Sequence, residues 1–205
     1  MGSQMTDNII IVVGIPGSGK SSALEGIEAE TGAVLVSVGT EMAKKAGEPD
    51  RDMLRTDSSA KEKAEALRRQ VLEDALNSEA STVVLDTHAI VKTSDGYIDG
   101  FSEDDMKLLD GTVKAIIYIH TDPAKIIERR DGDQSRKRDG ESEAELDKQQ
   151  IASEEFCRKM SDRLGAELYG IDGTNGSKEA VRDEMHRLIK GAAGTEKSRE
   201  KLRAV

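Results

Sequence analysis

The stretch Ile9–Ser22, IIIVVGIPGSGKSS, decides the fold. Its β-branched run Ile9–Val13 has the composition of a strand buried on both faces. That run passes directly into Gly14-Ile15-Pro16-Gly17-Ser18-Gly19-Lys20-Ser21, which satisfies G-x-x-x-x-G-K-[ST] at every fixed position. A buried strand, a glycine-rich turn and a helix start form a phosphate-binding loop. The glycines let the backbone turn without a Cβ penalty, so that successive N–H groups can face an anion. Lys20 supplies charge for the β- and γ-phosphates of ATP, and Ser21 offers a hydroxyl to Mg2+. The candidate ATP-binding set is therefore Gly14, Ile15, Pro16, Gly17, Ser18, Gly19, Lys20, Ser21 and Ser22, with Lys20 also catalytic.

Outward from this loop the pattern alternates. Further strands are expected at Ala33 to Val38, Thr82 to Asp86, Val113 to His120 and Ala166 to Ile171. Helices are expected at about Gly19 to Glu30, Ser58 to Asn77, Asp122 to Arg130, Glu141 to Leu164 and Ser177 to Lys190. Near-continuous apolar strands alternating with helices predict a parallel sheet covered on both faces, an α/β fold of three layers. A chain of 205 residues suits one such domain, expected here over residues 6–190 with an extension at 191–205.

Composition narrows the function classes. Hydrophobic residues make up 36% and aromatics 2%, so the core must be aliphatic. The formal charge of −10 opposes general binding to nucleic acid or to a membrane surface. A single cysteine, Cys157, excludes an internal disulfide and a cysteine-based zinc site. With no long apolar run and no signal peptide, the expectation is a cytoplasmic protein.

Two segments break the alternation. Residues 39–57, GTEMAKKAGEPDRDMLRTD, are too long for a simple αβ connection, and Arg51 and Arg55 lie one helical turn apart within them. Residues 129–139, RRDGDQSRKRD, concentrate Arg129, Arg130, Arg136 and Arg138 in a chain that is acidic overall. Phosphoryl transfer needs two substrates held in line, excluded water and neutralised charge, and the planar fork of arginine suits phosphate oxygens. One insert would hold an acceptor phosphate and the other would cover the donor. The alternative for Arg51 and Arg55 is pairing with Asp50 and Asp52 in solvent, and for the basic run a solvated loop. Asp86 ends a buried strand, where open α/β sheets place ligands, and so is a candidate Mg2+ residue acting through water. His88 and Lys92 follow it near the site without an assigned step. His120 and His186 read as structural or exposed. The loop Gly173-Thr174-Asn175-Gly176 lies where it could cover a purine, or is simply a turn.

With these pieces in place the chain resembles the archaeal-type adenylate kinases, within the P-loop nucleoside monophosphate kinases. The resemblance rests on the P-loop, Gly39-Thr40-x-Met42, Asp50-Arg51-Asp52-x-x-Arg55, Val84-Leu85-Asp86-Thr87-His88 with Val91-Lys92-Thr93 and Gly96-Tyr97, and the run from Arg129 to Asp139. It implies a five-stranded parallel sheet with an AMP-binding insert at 39–78 and a short lid at 129–145 without zinc. The implied reaction is Mg2+-dependent phosphate transfer, ATP + AMP = 2 ADP. By the resemblance Thr40 and Arg55 belong to the AMP pocket, with Asp86, His88 and Lys92 beside the substrates. Arg130, Arg136 and Arg138 are the catalytic lid arginines, and Gly173, Thr174 and Asn175 face the adenine. A homo-oligomer, a trimer in members of the group, is also implied. Another small-molecule or nucleoside monophosphate kinase, or a P-loop ATPase or switch of the same fold, remains open on sequence.

Overall fold

A computed structural model describes residues 6, 8–47, 58–93, 96–132 and 140–194. Five parallel strands form the central sheet: β1 (Ile9–Val13), β2 (Val34–Ser37), β3 (Val83–Thr87), β6 (Val113–His120) and β7 (Glu167–Asp172), in the order β2-β3-β1-β6-β7. β1 lies between β3 and β6, with Val12 opposite both Asp86 and Ile117. Every residue of β1 is 0% exposed, as a continuous β-branched run on a sheet covered on both faces requires.

The two-residue period of the strand divides the core. Ile9, Ile11 and Val13 pack with Val83 and Leu85 against α4 (Ser58–Leu76), α5 (Glu103–Leu109) and α7 (Glu143–Leu164). Ile10 and Val12 face the other way, toward α1 (Lys20–Ala23), α2 (Ile27–Thr31) and α8 (Lys178–Ala193). Three layers result, and the carboxyl ends of all five strands open on one edge.

Most expected elements stand within a few residues of their predicted bounds, with instructive departures. The helix expected from Gly19 to Glu30 is two short helices, because Gly26 adopts φ 78° and interrupts the ladder. The loop after β2 becomes helix at once: α3 (Val38–Ala46) starts where strand was expected to end and takes in residues 39–46. A hairpin of β4 (Ile90–Thr93) and β5 (Gly96–Asp99) follows β3, with Lys92 opposite Tyr97. α5 comes next, and its Ser102–Asp105 capping box satisfies the Ser102 and Asp105 N–H groups at its start. α6 (Pro123–Asp131) begins as predicted, Asp122 accepting from the Ala124 N–H at 2.9 Å ahead of proline. α8 runs three residues beyond Lys190 and buries Ala192. No helix among the described residues is long and apolar enough to cross a membrane.

Candidate active site

The loop after β1 is held from outside by its carbonyl groups. His88 Nδ1 lies 3.1 Å from the Gly14 oxygen, a contact that places the ring proton on Nδ1. Arg130 donates to the Pro16 oxygen from Nε at 3.1 Å and from Nη2 at 2.6 Å. The Ser18 oxygen accepts from the Thr121 hydroxyl at 3.0 Å and from Arg129 Nη1 at 3.2 Å. In a trans peptide the N–H points opposite to the carbonyl it is bonded to, so each anchor aims the next N–H away from itself. Anchoring the Gly14, Pro16 and Ser18 carbonyls thus turns the Ile15, Gly17 and Gly19 N–H groups to the other side. That is the geometry an anion-binding loop needs.

The glycines make the anchoring possible. Gly17 and Gly19 have φ 92° and 95°, which side chains rarely adopt. A Cβ on Gly17 would lie 3.0 Å from Ile126 and 3.2 Å from Arg130 Nε, and one on Gly19 would lie 3.3 Å from Arg129. Gly14 has a different constraint, since its Cβ would sit 2.5 Å from the Ser18 hydroxyl. The Ile15 side chain turns away from the loop into a small apolar cluster with Ile126 on α6 and Leu146 on α7.

Lys20 opens α1, and its ammonium lies 2.8 Å from Asp86 Oδ1, with side chains 10% and 17% exposed. Asp86 stands in β3 opposite Ser37 and Val12, at the carboxyl edge of the sheet. Its Oδ1 is buried with Lys20 as ion partner but no well-formed hydrogen bond. Ser21 and Ser22, which follow Lys20 in α1, are exposed. Two further cationic side chains reach this loop.

Those side chains arrive from α6. Arg129 also donates to the Gly173 oxygen at 2.8 Å, so it joins the P-loop to the loop after β7. Gly173 is seated by its own N–H on the His120 oxygen at 2.7 Å, and a Cβ there would meet the Thr121 hydroxyl at 2.3 Å. Thr174 and Asn175 are held by Asp172, through Thr174 N–H and Asn175 Nδ2, both at 2.8 Å. Thr174 in turn accepts from the Asp122 N–H at 2.7 Å.

Arg130 is 9% exposed, and its third nitrogen, Nη1, donates to Glu141 at 2.8 Å. The other oxygen of Glu141 accepts from Lys92 of the hairpin, also at 2.8 Å. Burial pushes the Glu141 carboxyl up, but the bonds from Lys92 and Arg130 outweigh it and hold the group below the ordinary glutamate range. The same bond raises Lys92. Thr40 lies on α3, its hydroxyl donating to Ser37 at 3.0 Å. His120 is exposed at the end of β6, and His186 is buried on α8 with Nδ1 3.0 Å from Glu30.

The structure thus brings together the loop Gly14–Ser22, Asp86, His88, Arg129, Arg130 and Gly173–Asn175, and links Lys92 to them through Glu141. Arg51, Arg55, Arg136 and Arg138 lie outside the described residues. Sequence reasoning missed Thr121, Glu141 and Gln150, whose Oε1 accepts the Thr121 N–H at 2.9 Å. Their separation from the P-loop, 103 residues for Thr121, leaves no spacing signal.

A family model described as an AAA domain matches residues 13–147. An adenylate kinase of Thermoplasma volcanium is 31% identical over 184 residues, covering 88% of this chain and 98% of that protein. The chain belongs to the adenylate kinase family. An adenylate kinase of Methanococcus vannielii is 27% identical over 197 residues, 91% of this chain and 100% of the relative. The adenylate kinase family member described here is therefore a phosphotransferase, as the converging cations at the P-loop would lead one to expect. Among solved structures, a shikimate kinase from Acinetobacter baumannii in complex with shikimate aligns with TM-score 0.60 at 17% identity, covering 91% of this chain and 93% of that one. A gluconokinase from Sinorhizobium meliloti aligns at 0.55 and 16%, covering 92% and 95%. These likenesses establish the P-loop kinase fold.

Proposed function

We infer that the chain catalyses reversible phosphoryl transfer from ATP to AMP, giving two ADP. The observation that carries this reading is the convergence of Lys20, Arg129 and Arg130 on one loop whose carbonyls are tied outward. Backbone N–H groups and Lys20 would share the β- and γ-phosphates while Arg129 and Arg130 hold the loop from its carbonyl side, which favours charge spread over the transferring group. Lys20 would exchange its Asp86 partner for phosphate oxygens. Ser21 and the buried Asp86 oxygen fit the oxygen chemistry of Mg2+, Asp86 through water. Held there, Mg2+ would supply positive charge to offset that of the phosphates.

The acceptor side rests on Thr40 at the start of α3 and on Arg55, with Arg136 and Arg138 joining the donor arginines. Gly173, Thr174 and Asn175, tied to the P-loop by Arg129, would face the adenine. His88 acts on the loop itself, by fixing the Gly14 carbonyl. The charge of −10 makes nucleotides rather than nucleic acid the expected anionic partners, because only a focused site overcomes the average repulsion. A cytoplasmic location and a homo-oligomeric, trimeric state belong to the same reading.

The test is the initial rate of diphosphate formation at fixed Mg2+·ATP with AMP, GMP, CMP or UMP. AMP is expected to be the preferred acceptor. Equal turnover of the four, or ATP hydrolysis that does not respond to any of them, overturns the adenylate assignment.

A further inference from the structure

Glu141 lies outside the P-loop and outside the basic run 129–139, yet its one carboxylate joins Arg130 of α6 to Lys92 of the hairpin. Oε2 accepts from Arg130 and Oε1 from Lys92, each at 2.8 Å, and the Glu141 side chain is 14% exposed. Arg130 spends its other two nitrogens on the Pro16 oxygen. A guanidinium is rigid and planar, so fixing one edge fixes the direction of the others. The bond to Glu141 therefore sets the plane in which Arg130 grips Pro16, and with it the aim of the Gly17 N–H. Gly17 leaves no slack, since a Cβ there would already touch Arg130 at 3.2 Å. Lys92 sits in β4 opposite Tyr97, and Tyr97 reaches the Glu145 oxygen of α7 at 3.5 Å. The hairpin is thus fastened at the same place from which the arginine is oriented.

We propose that Glu141 is a positioning residue for phosphoryl transfer, holding Arg130 in register with the P-loop and tying that register to the hairpin through Lys92. The proposal rests on the phosphotransfer reading above. Its effect runs through Arg130, so it predicts a loss in turnover rather than in substrate affinity, and a loss that depends on the guanidinium.

The experiment measures initial rates over both substrates for the full chain and for Glu141→Gln, Lys92→Met, Arg130→Lys and the Glu141→Gln/Arg130→Lys double variant. Glu141→Gln should lower kcat about tenfold, with KM for ATP and AMP within about twofold, because misplacing an oriented group costs mainly the chemical step. Lys92→Met should give part of that loss, about threefold, since the carboxylate keeps its bond to Arg130. In the Arg130→Lys background, where no fork remains to orient, adding Glu141→Gln should cost less than about twofold more. A wild-type kcat in Glu141→Gln overturns the proposal. So does a loss confined to KM, or a full tenfold loss repeated in the Arg130→Lys background. ATP hydrolysis without acceptor, measured on the same proteins, separates this inference from the functional reading. Wild-type protein that hydrolyses ATP but forms no AMP-dependent ADP overturns the adenylate reading, while the hydrolysis rates of the variants still decide the role of Glu141. Protein inert in both assays overturns both.

Discussion

Gly17 shows how closely a single residue is specified. Its φ of 92° favours glycine, and its missing side chain leaves the space in which Ile126 and Arg130 approach the loop. Gly17→Ala therefore carries backbone strain of about 1–3 kcal/mol and displaces a group bound to Pro16. Because Ile126 and Arg130 both press on the loop, we expect kcat to fall by about 10²-fold or more, in line with the loss of one oriented donor, while circular dichroism reports an intact fold. Activity within a few-fold of wild type would remove Gly17 from the oriented part of the loop. Lys20 illustrates the reverse case, a residue whose identity was evident but whose partner was not. Nothing in its spacing announced that Asp86 would lie 2.8 Å away.

Among the elements, the corner between the hairpin and α5 is fixed by backbone and side chains together. Gly100 donates to the Ala89 oxygen at 2.6 Å, and a Cβ there would collide with the His88 oxygen at 2.3 Å. Arg68 on α4 reaches the same corner, donating from Nη1 to the Gly100 oxygen and from Nε to Asp105 at 3.0 Å. Asp105 is 2% exposed and also accepts from the Ser102 N–H at 2.8 Å as part of the α5 cap. Removing the arginine would leave a buried carboxylate with only its cap. Arg68→Leu is expected to cost about 3 kcal/mol of stability, the usual penalty for a broken buried pair, read as a shift of the urea midpoint at constant m. A shift equivalent to less than about 1 kcal/mol, the scale of exposed pairs, would show that the corner is held by packing alone. Because this corner carries His88 and leads out of the hairpin, the same variant should also loosen the P-loop's first anchor. The hairpin and α5 were legible in principle: Asp95-Gly96 between apolar runs is a turn signal, and Ser102-x-x-Asp105 is a capping box. Both were hidden because their strands and helix are short, and only four to seven residues carry each pattern.

For the whole molecule, charge sets the response to pH. Glu141 is held low by Lys92 and Arg130 against its burial, Glu184 by Arg187, and Asp172 by Asn175 and Thr174. A carboxylate whose folded pKa lies below its unfolded value near 4 stabilises the fold above that value and loses the contribution as pH falls through the folded pKa. Glu141 should dominate, since it is 14% exposed against 40% for Glu184. Acid also relieves the repulsion of a chain with net charge −10, which acts at higher pH as the charge declines toward the pI of about 4.9. The thermal midpoint is therefore expected to hold or rise slightly from about pH 7 to 5 and to fall below about pH 4. A midpoint still rising at about pH 3.5 would mean that these pairs contribute less than global repulsion.

What the sequence determined by itself was the layered sheet and the location of the phosphate loop. Both follow from local rules: a β-branched run must be buried on two faces, and a glycine-rich turn after it leaves N–H groups free for an anion. Only the tertiary structure decided how that loop is aimed. Its carbonyls are anchored by His88, Thr121, Arg129 and Arg130, and Arg130 is oriented by Glu141, all of them 74 or more residues distant from the oxygens they hold or, for Glu141, acting through one that is. Hydrogen-bond partners across such separations are set by which strand ends and helices share the sheet's carboxyl edge, a property of the packed chain that no local pattern encodes.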